Sequence, residues 1–126
     1  MDWKNYFHKK EGTGFLATAG AKGEVNIAVY SRPHVLEDGT FAFGMADRLT
    51  HVNLEQNPQA VYAFHEGHYQ GHRIYLVKVR EETTGPMLDS IRERAKTLSS
   101  AGAADMVKYA VYFRVVRNLP LVGTGE

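Results

Sequence analysis

Two short stretches carry the residues best suited to holding a ligand. The first is FGMADRLTHVNL, residues 43–54. An alternating apolar run from Phe41 to Met45 gives way there to Asp47, Arg48, Thr50, His51 and Asn53, and a helical pattern begins at once. A helix start presents unpaired amides and the positive end of the backbone dipole, which suits a phosphate. Arg48 adds a planar donor fork and Thr50 a hydroxyl, with His51 and Asn53 within one turn. The same residues also read as ordinary capping, with Asp47 or Thr50 as the cap and Arg48 in solvent. The second stretch is VYSRPHV, residues 29–35. Tyr30, Ser31, Arg32 and His34 flank a proline that disturbs a strand, and a disturbed strand leaves backbone groups free to bond a ligand. Arg32 would bring a second positive charge. The alternative is an exposed edge strand blunted by Pro33 and charge.

Other candidates are weaker. His65, His68 and His72 with Glu66 could ligate a metal, but the spacing matches no tight ligand template. Gly67 and Gly71 point instead to a hairpin, so no metal is expected. There is no glycine-rich phosphate loop with lysine, no nucleophile elbow and no zinc-protease histidine pair. Ser31 has a histidine nearby in sequence but no carboxylate placed with it, which argues against nucleophilic catalysis. Tyr62, Phe64, Tyr75, Tyr112 and Phe113 lie on strands in both parities, which suggests burial on both sheet faces or a covered outer face.

The elements that must position these residues follow from pattern. Trp3, Tyr6 and Phe7 are spaced for a short helix over 2–11, ended by Gly12 and Gly14. Residues 15–20 read as a strand, 21–24 as a glycine-containing turn, and 25–36 as a long extended run bent at Pro33. Asp38-Gly39 marks a hairpin before the strand at 41–45. Leu49, Val52 and Leu54 pattern a helix that Asn57-Pro58 stops. A strand at 59–65, a loop at 66–71 and a strand at 72–83 follow. Pro86 opens a helix over 86–100 with Leu88, Ile91, Ala95 and Leu98 on one face, and Arg92, Arg94 and Lys96 largely off it. Residues 101–105 read as a break before a last strand over 108–122. The pattern predicts a mainly β (α+β) fold. About six mostly antiparallel strands suggest a small closed or partly closed barrel, with a sandwich as the alternative.

The chain has 126 residues, which fits one domain spanning 1–126. Its net charge of +1 makes no general electrostatic case for nucleic acid or an anionic membrane. The absence of cysteine excludes disulfides, thiolate zinc sites and cysteine-held iron–sulfur clusters. The first residues, MDWKNYFHKKEG, lack an apolar core of signal-peptide length, and no window approaches the roughly 18 apolar residues of a membrane span. A soluble cytoplasmic protein is expected.

The order of these pieces resembles the FMN-binding split-barrel proteins related to pyridoxamine 5′-phosphate oxidase. The resemblance covers roughly residues 10–122 and is carried by GFLATAGAKGEVNIAVYSRPHVLEDGTFAFGMADRLTHVNLEQNPQAVYAF. It implies a six-stranded antiparallel split β-barrel with short flanking helices, and a homodimer with FMN at the interface. By the same resemblance the phosphate would sit at Arg48, Thr50 and His51, with Asn53 nearby. Val29, Tyr30, Ser31 and Arg32 would run along the isoalloxazine, and Met45, Ala46 and Asp47 would line the ribityl chain. Two departures stand out. Leu49 holds the place where relatives often carry a lysine. The chain ends RNLPLVGTGE, without the arginine-rich, tryptophan-containing segment of the true oxidases, so pyridoxamine phosphate is not the expected substrate. The expected function is a flavin-dependent oxidoreductase of unknown substrate. The alternatives are a non-enzymatic flavin or electron carrier, or the same barrel holding a deazaflavin or haem.

Overall fold

A computed structural model describes residues 1–98 and 101–124. In chain order the elements are α1 (Trp3–Lys9), β1 (Thr13–Ala19), β2 (Val25–Val29), β3 (His34–Val35), β4 (Phe41–Met45), α2 (Leu49–Gln56), β5 (Gln59–Gly67), β6 (Gln70–Glu82), α3 (Pro86–Leu98), α4 (Ala101–Met106) and β7 (Tyr109–Pro120). Among the described residues, seven strands form one sheet in the order β2-β1-β5-β6-β7-β4-β3. Every neighbouring pair is antiparallel.

Seven strands replace the expected six because the extended run at 25–36 is two strands. β2 pairs with β1 and β3 pairs with β4, so the chain leaves one edge of the sheet at Val29 and joins the other edge at His34. Pro33 cannot donate to a ladder and sits at the crossing. That crossing forces curvature. Five residue steps reach at most about 18 Å. A flat sheet would hold edges six strand spacings apart at roughly 29 Å. The curl appears in the core: Phe43 on β4 and Tyr62 on β5 lie with ring centroids 5.1 Å apart, although β6 and β7 separate their strands in the sheet. No ladder joins β2 to β3 among the described residues, so the sheet curls without closing.

Alternation sends Leu16, Tyr62, Phe64, Ile74, Leu76 and Phe113 into one core. β4 is buried on both faces. Phe41, Phe43 and Met45 enter the main core, while Ala42 joins Leu88 and Ile91 of α3 in a second cluster. Helix α1, capped by the Asp2 carboxylate on the Asn5 amide at 3.1 Å, drives Trp3 and Phe7 into the main core. Phe7 meets the rings of Phe64 and Phe41 at 5.2 and 5.7 Å. Phe7→Ala is expected to cost about 3–5 kcal/mol, read as a lower denaturant midpoint.

Three local expectations differ from the structure. Residues 66–71 form no open loop: β5 and β6 run on to Gly67 and Gln70, joined by His68 and Tyr69 at φ 53 and 61. Positive φ at both central residues matches the twist of the flanking strands, which favours a two-residue turn. Residues 101–105 are helical rather than a break, because alanine is a strong helix former and Ala104 is buried. The last strand ends at Pro120 rather than 122. The expected helix end at Ser99 and Ser100 lies outside the described residues.

Candidate functional site

Helix α2 docks on the β1–β2 hairpin with its polar side inward. Thr50, His51 and Asn53 are buried, whereas Leu49 and Val52 are exposed. The apolar spacing that predicts the helix therefore marks its outer face as much as its inner one. Each buried polar side chain has at least one partner, although His51 Nδ1 has no hydrogen bond among the described residues. Asn53 Nδ2 donates to Thr18 Oγ1 at 3.1 Å, and Asn26 Nδ2 donates to Thr50 Oγ1 at 3.5 Å. His51 Nε2 lies 2.9 Å from Glu81 Oε1, and its ring stacks on Tyr109 at 3.7 Å and 7°. Burial pushes the Glu81 carboxyl up, but hydrogen bonds with Lys78 and His51, and their charges, outweigh it and hold the group below its ordinary value.

The start of α2 is open. Arg48 occupies the N-cap position, and no side-chain oxygen caps the helix, neither Asp47 nor Thr50. The first backbone bond runs from the Val52 amide to the Arg48 carbonyl at 3.0 Å, which leaves the amides of Leu49, Thr50 and His51 ahead of it. Arg48 is exposed and makes no ion pair or hydrogen bond among the described residues. Tyr30 stands at the same corner. Burial pushes its phenol up, opposed by the Thr50 hydroxyl and by the charge of Arg48. The two stretches singled out in the sequence thus meet through Tyr30, Arg48 and Thr50.

Around this corner, Val29 and Ser31 are exposed and Met45 is buried in the core. Asp47 is exposed, and the Ala46 carbonyl accepts the Arg48 amide at 2.9 Å. The Tyr30 amide donates to the Gly14 carbonyl at 3.0 Å, and the Tyr30 carbonyl accepts the Tyr62 hydroxyl at 3.0 Å. The amides of Ser31 and Arg32 donate to no group among the described residues. Arg32 faces elsewhere: its Nη1 donates to the Phe7 and Lys10 carbonyls at 3.0 and 2.8 Å, clasping the end of α1. His51 and Asn53 likewise turn into the protein, so Arg48 and the amides of α2 remain as the anion-receptive groups.

Sequence reasoning missed Arg94, and it placed His34 only as a neighbour of Pro33. Arg94 sits on α3 but is half-buried, and its guanidinium donates to the Arg32 carbonyl. A helix with three cationic residues and few matching acids was the available signal. Burial, with the charge of Arg94, pulls the His34 imidazole down to about 4 from 6.5. Folding thus favours the neutral ring. Its contribution to stability is complete above the unfolded value and is lost as pH falls from about 6.5 toward 4. His34→Gln should remove that acid-side loss, so melting curves at pH 7 and 4.5 should converge for the variant relative to the parent. The histidines of the β5–β6 hairpin do not converge: His65 and His68 are exposed, and His72 Nδ1 lies 3.0 Å from Asn118 Oδ1. Among the described residues, no group of three or more acidic or histidine side chains could hold a metal.

With this geometry in view, comparison with known proteins is informative about the fold. No protein-family model matches the sequence, and a comparison with curated proteins finds no match. Solved structures do match. An FMN-binding protein from Syntrophomonas wolfei subsp. wolfei superposes with a TM-score of 0.80 at 22% identity, covering 95% of this chain and 84% of that one. HutZ, the haem storage protein from Vibrio cholerae, matches at 0.66 and 17% identity over 97% and 95%. A candidate pyridoxamine 5′-phosphate oxidase from Lactobacillus delbrueckii matches at 0.64 and 10% identity over 94% and 92%.

The chain shares the fold of these solved structures. That fold is the one that the sequence resemblance implies, with seven strands here and an unclosed sheet. Among the described residues, no helix is long and apolar enough to cross a membrane.

Proposed function

We propose that this protein binds FMN between two copies of the chain and acts as a flavin-dependent oxidoreductase. The observation that carries the reading is the corner at the start of α2, where an uncapped helix end and the unpaired Arg48 stand beside Tyr30. Both groups favour a doubly charged phosphate, by dipole and by charge-assisted hydrogen bonding. The donor set therefore fits the cofactor named for the S. wolfei protein. The free amides of Ser31 and Arg32 suit the carbonyls of a flavin's pyrimidine edge, where donors stabilise negative charge on the reduced ring. When bound, the flavin would supply the electron transfer, and the chain would supply binding, orientation and cover.

Pairing of two copies is supported by an apolar strip. Val25, Ile27 and Val29 of β2 are 86%, 65% and 71% exposed, and Leu49 and Val52 of α2 also face outward. Leu49, at the start of α2, and Val29, beside Tyr30, place this strip next to the Arg48 corner, so a partner covering it would also cover a bound flavin.

The test is the absorbance spectrum of the purified protein, with mass spectrometry of whatever denaturation releases and a measurement of mass in solution. The expected result is flavin absorbance, release of FMN and a dimer mass. A haem Soret band, or a deazaflavin released in place of FMN, would overturn the cofactor assignment. A flavin that no electron donor can reduce and no acceptor can reoxidise would favour a flavin store over an enzyme or an electron carrier.

A further inference from the structure

A cleft of about 330 Å³ between α1, β3 and α3 is walled by Lys4, His8, Arg32, His34 and Arg94, with no carboxylate among its lining residues. Two guanidinium groups share one wall. Arg94 is held below its ordinary value first by burial and then by the charge of Arg32. Neither arginine forms an ion pair among the described residues: Arg32 bonds the carbonyls of Phe7 and Lys10, and Arg94 the carbonyl of Arg32. His34 Nδ1 is buried with no hydrogen-bond partner. Lys4 pairs with Glu37, a carboxylate that stands out in solvent and does not line the cleft. Adjacent like charges, one of them half-buried, together with an orphaned ring nitrogen, are costly unless an anion completes them.

The same wall of Arg32, His34 and Arg94 borders a second cavity of about 260 Å³. Phe43, Ile91 and Ala95 give that cavity an apolar side, and it reaches Tyr30 and Ser31.

We propose that this cleft seats the acidic group, carboxylate or phosphate, of a small organic anion whose apolar body occupies the adjoining cavity. The site is separate from the Arg48 corner assigned to the FMN phosphate. Only the ligand's role as a substrate rests on the flavin reading; its binding does not.

The test is a calorimetric titration of the full chain, FMN-free and FMN-loaded, with inorganic phosphate, acetate and benzoate at constant ionic strength against chloride. Saturable binding of phosphate or benzoate is expected in both forms, with benzoate at least tenfold tighter than acetate because its ring fills the apolar cavity. Arg94→Gln should weaken binding at least tenfold. His8→Glu, an exposed position on the cleft, should weaken it at least fivefold and serves if Arg94→Gln does not fold. Binding no stronger than chloride, equal affinity for acetate and benzoate, or affinity indifferent to both substitutions would overturn the proposal. Competition by FMN would also overturn it, since the anion would then share the flavin's own site. A protein that binds no FMN yet keeps the anion site would refute the flavin reading alone.

Discussion

Replacing Arg48 by alanine is expected to weaken FMN binding by about 1.5–3 kcal/mol, one to two powers of ten in affinity, as measured by quenching of flavin fluorescence. The size follows from the setting. Arg48 is the one cation that the structure leaves unpaired at the open start of α2, and Leu49 supplies none beside it. Because Arg48 is exposed and bonds nothing among the described residues, the FMN-free variant should melt with the parent, which separates a binding effect from a folding one. Arg48→Lys keeps the charge but loses the planar fork, so its affinity should fall between the two. An alanine variant that binds FMN as tightly as the parent would remove the phosphate from this corner.

Gly14→Val is expected to damage the scaffold where the chain leaves the sheet. A Cβ at Gly14 would stand 1.9 Å from the Tyr62 hydroxyl oxygen and 2.6 Å from the Tyr30 carbonyl oxygen. The Tyr62 side chain crosses β1 over this glycine to bond Tyr30 at 3.0 Å, tying the core to the point where the chain leaves the sheet. Crowding of this kind costs about 1–3 kcal/mol. The hydroxyl and carbonyl left unpaired add about 1–3 kcal/mol, without strict additivity. A loss of roughly 2–5 kcal/mol should appear in urea unfolding. Tyr62→Phe, which removes only the hydrogen bond, should lose about 1 kcal/mol. If Gly14→Val melts like the parent, Tyr62 has another way past β1.

Most of the strands, and helices α1 and α3, were legible because each carries its own period. Alternation in 15–20 and 59–65, and the helical spacing of Leu88 and Ile91, translate directly into burial. What was illegible depends on partners distant in sequence. Nothing around His51 announces that its ring faces Glu81 and Tyr109, 30 and 58 positions further on. Arg32 reads as a ligand-facing cation because it stands beside Pro33, yet the carbonyls at the end of α1 claim it. Arg94 reads as solvent-facing because helical spacing places it off the apolar stripe, and only the crossing segment at 30–33 gives it a buried carbonyl to bond. In the candidate site, the two segments could be chosen from residue types, whereas the division of labour within them could not.

The crossing from β2 to β3 has a consequence for the order in which the protein is made. The residues that meet at the ligand corner, Tyr30, Arg48 and Thr50, all lie in the first half of the chain. The strand that holds β4 against the rest of the sheet is β7, through pairs such as Phe41 with Phe113. A nascent chain can form the β1–β2 and β3–β4 hairpins early, because their contacts are local. It cannot bring the two sheet edges together until the final strand has left the ribosome. The corner is therefore encoded early and assembled last, and a chain stopped before Tyr109 should expose apolar strand edges instead of binding cofactor.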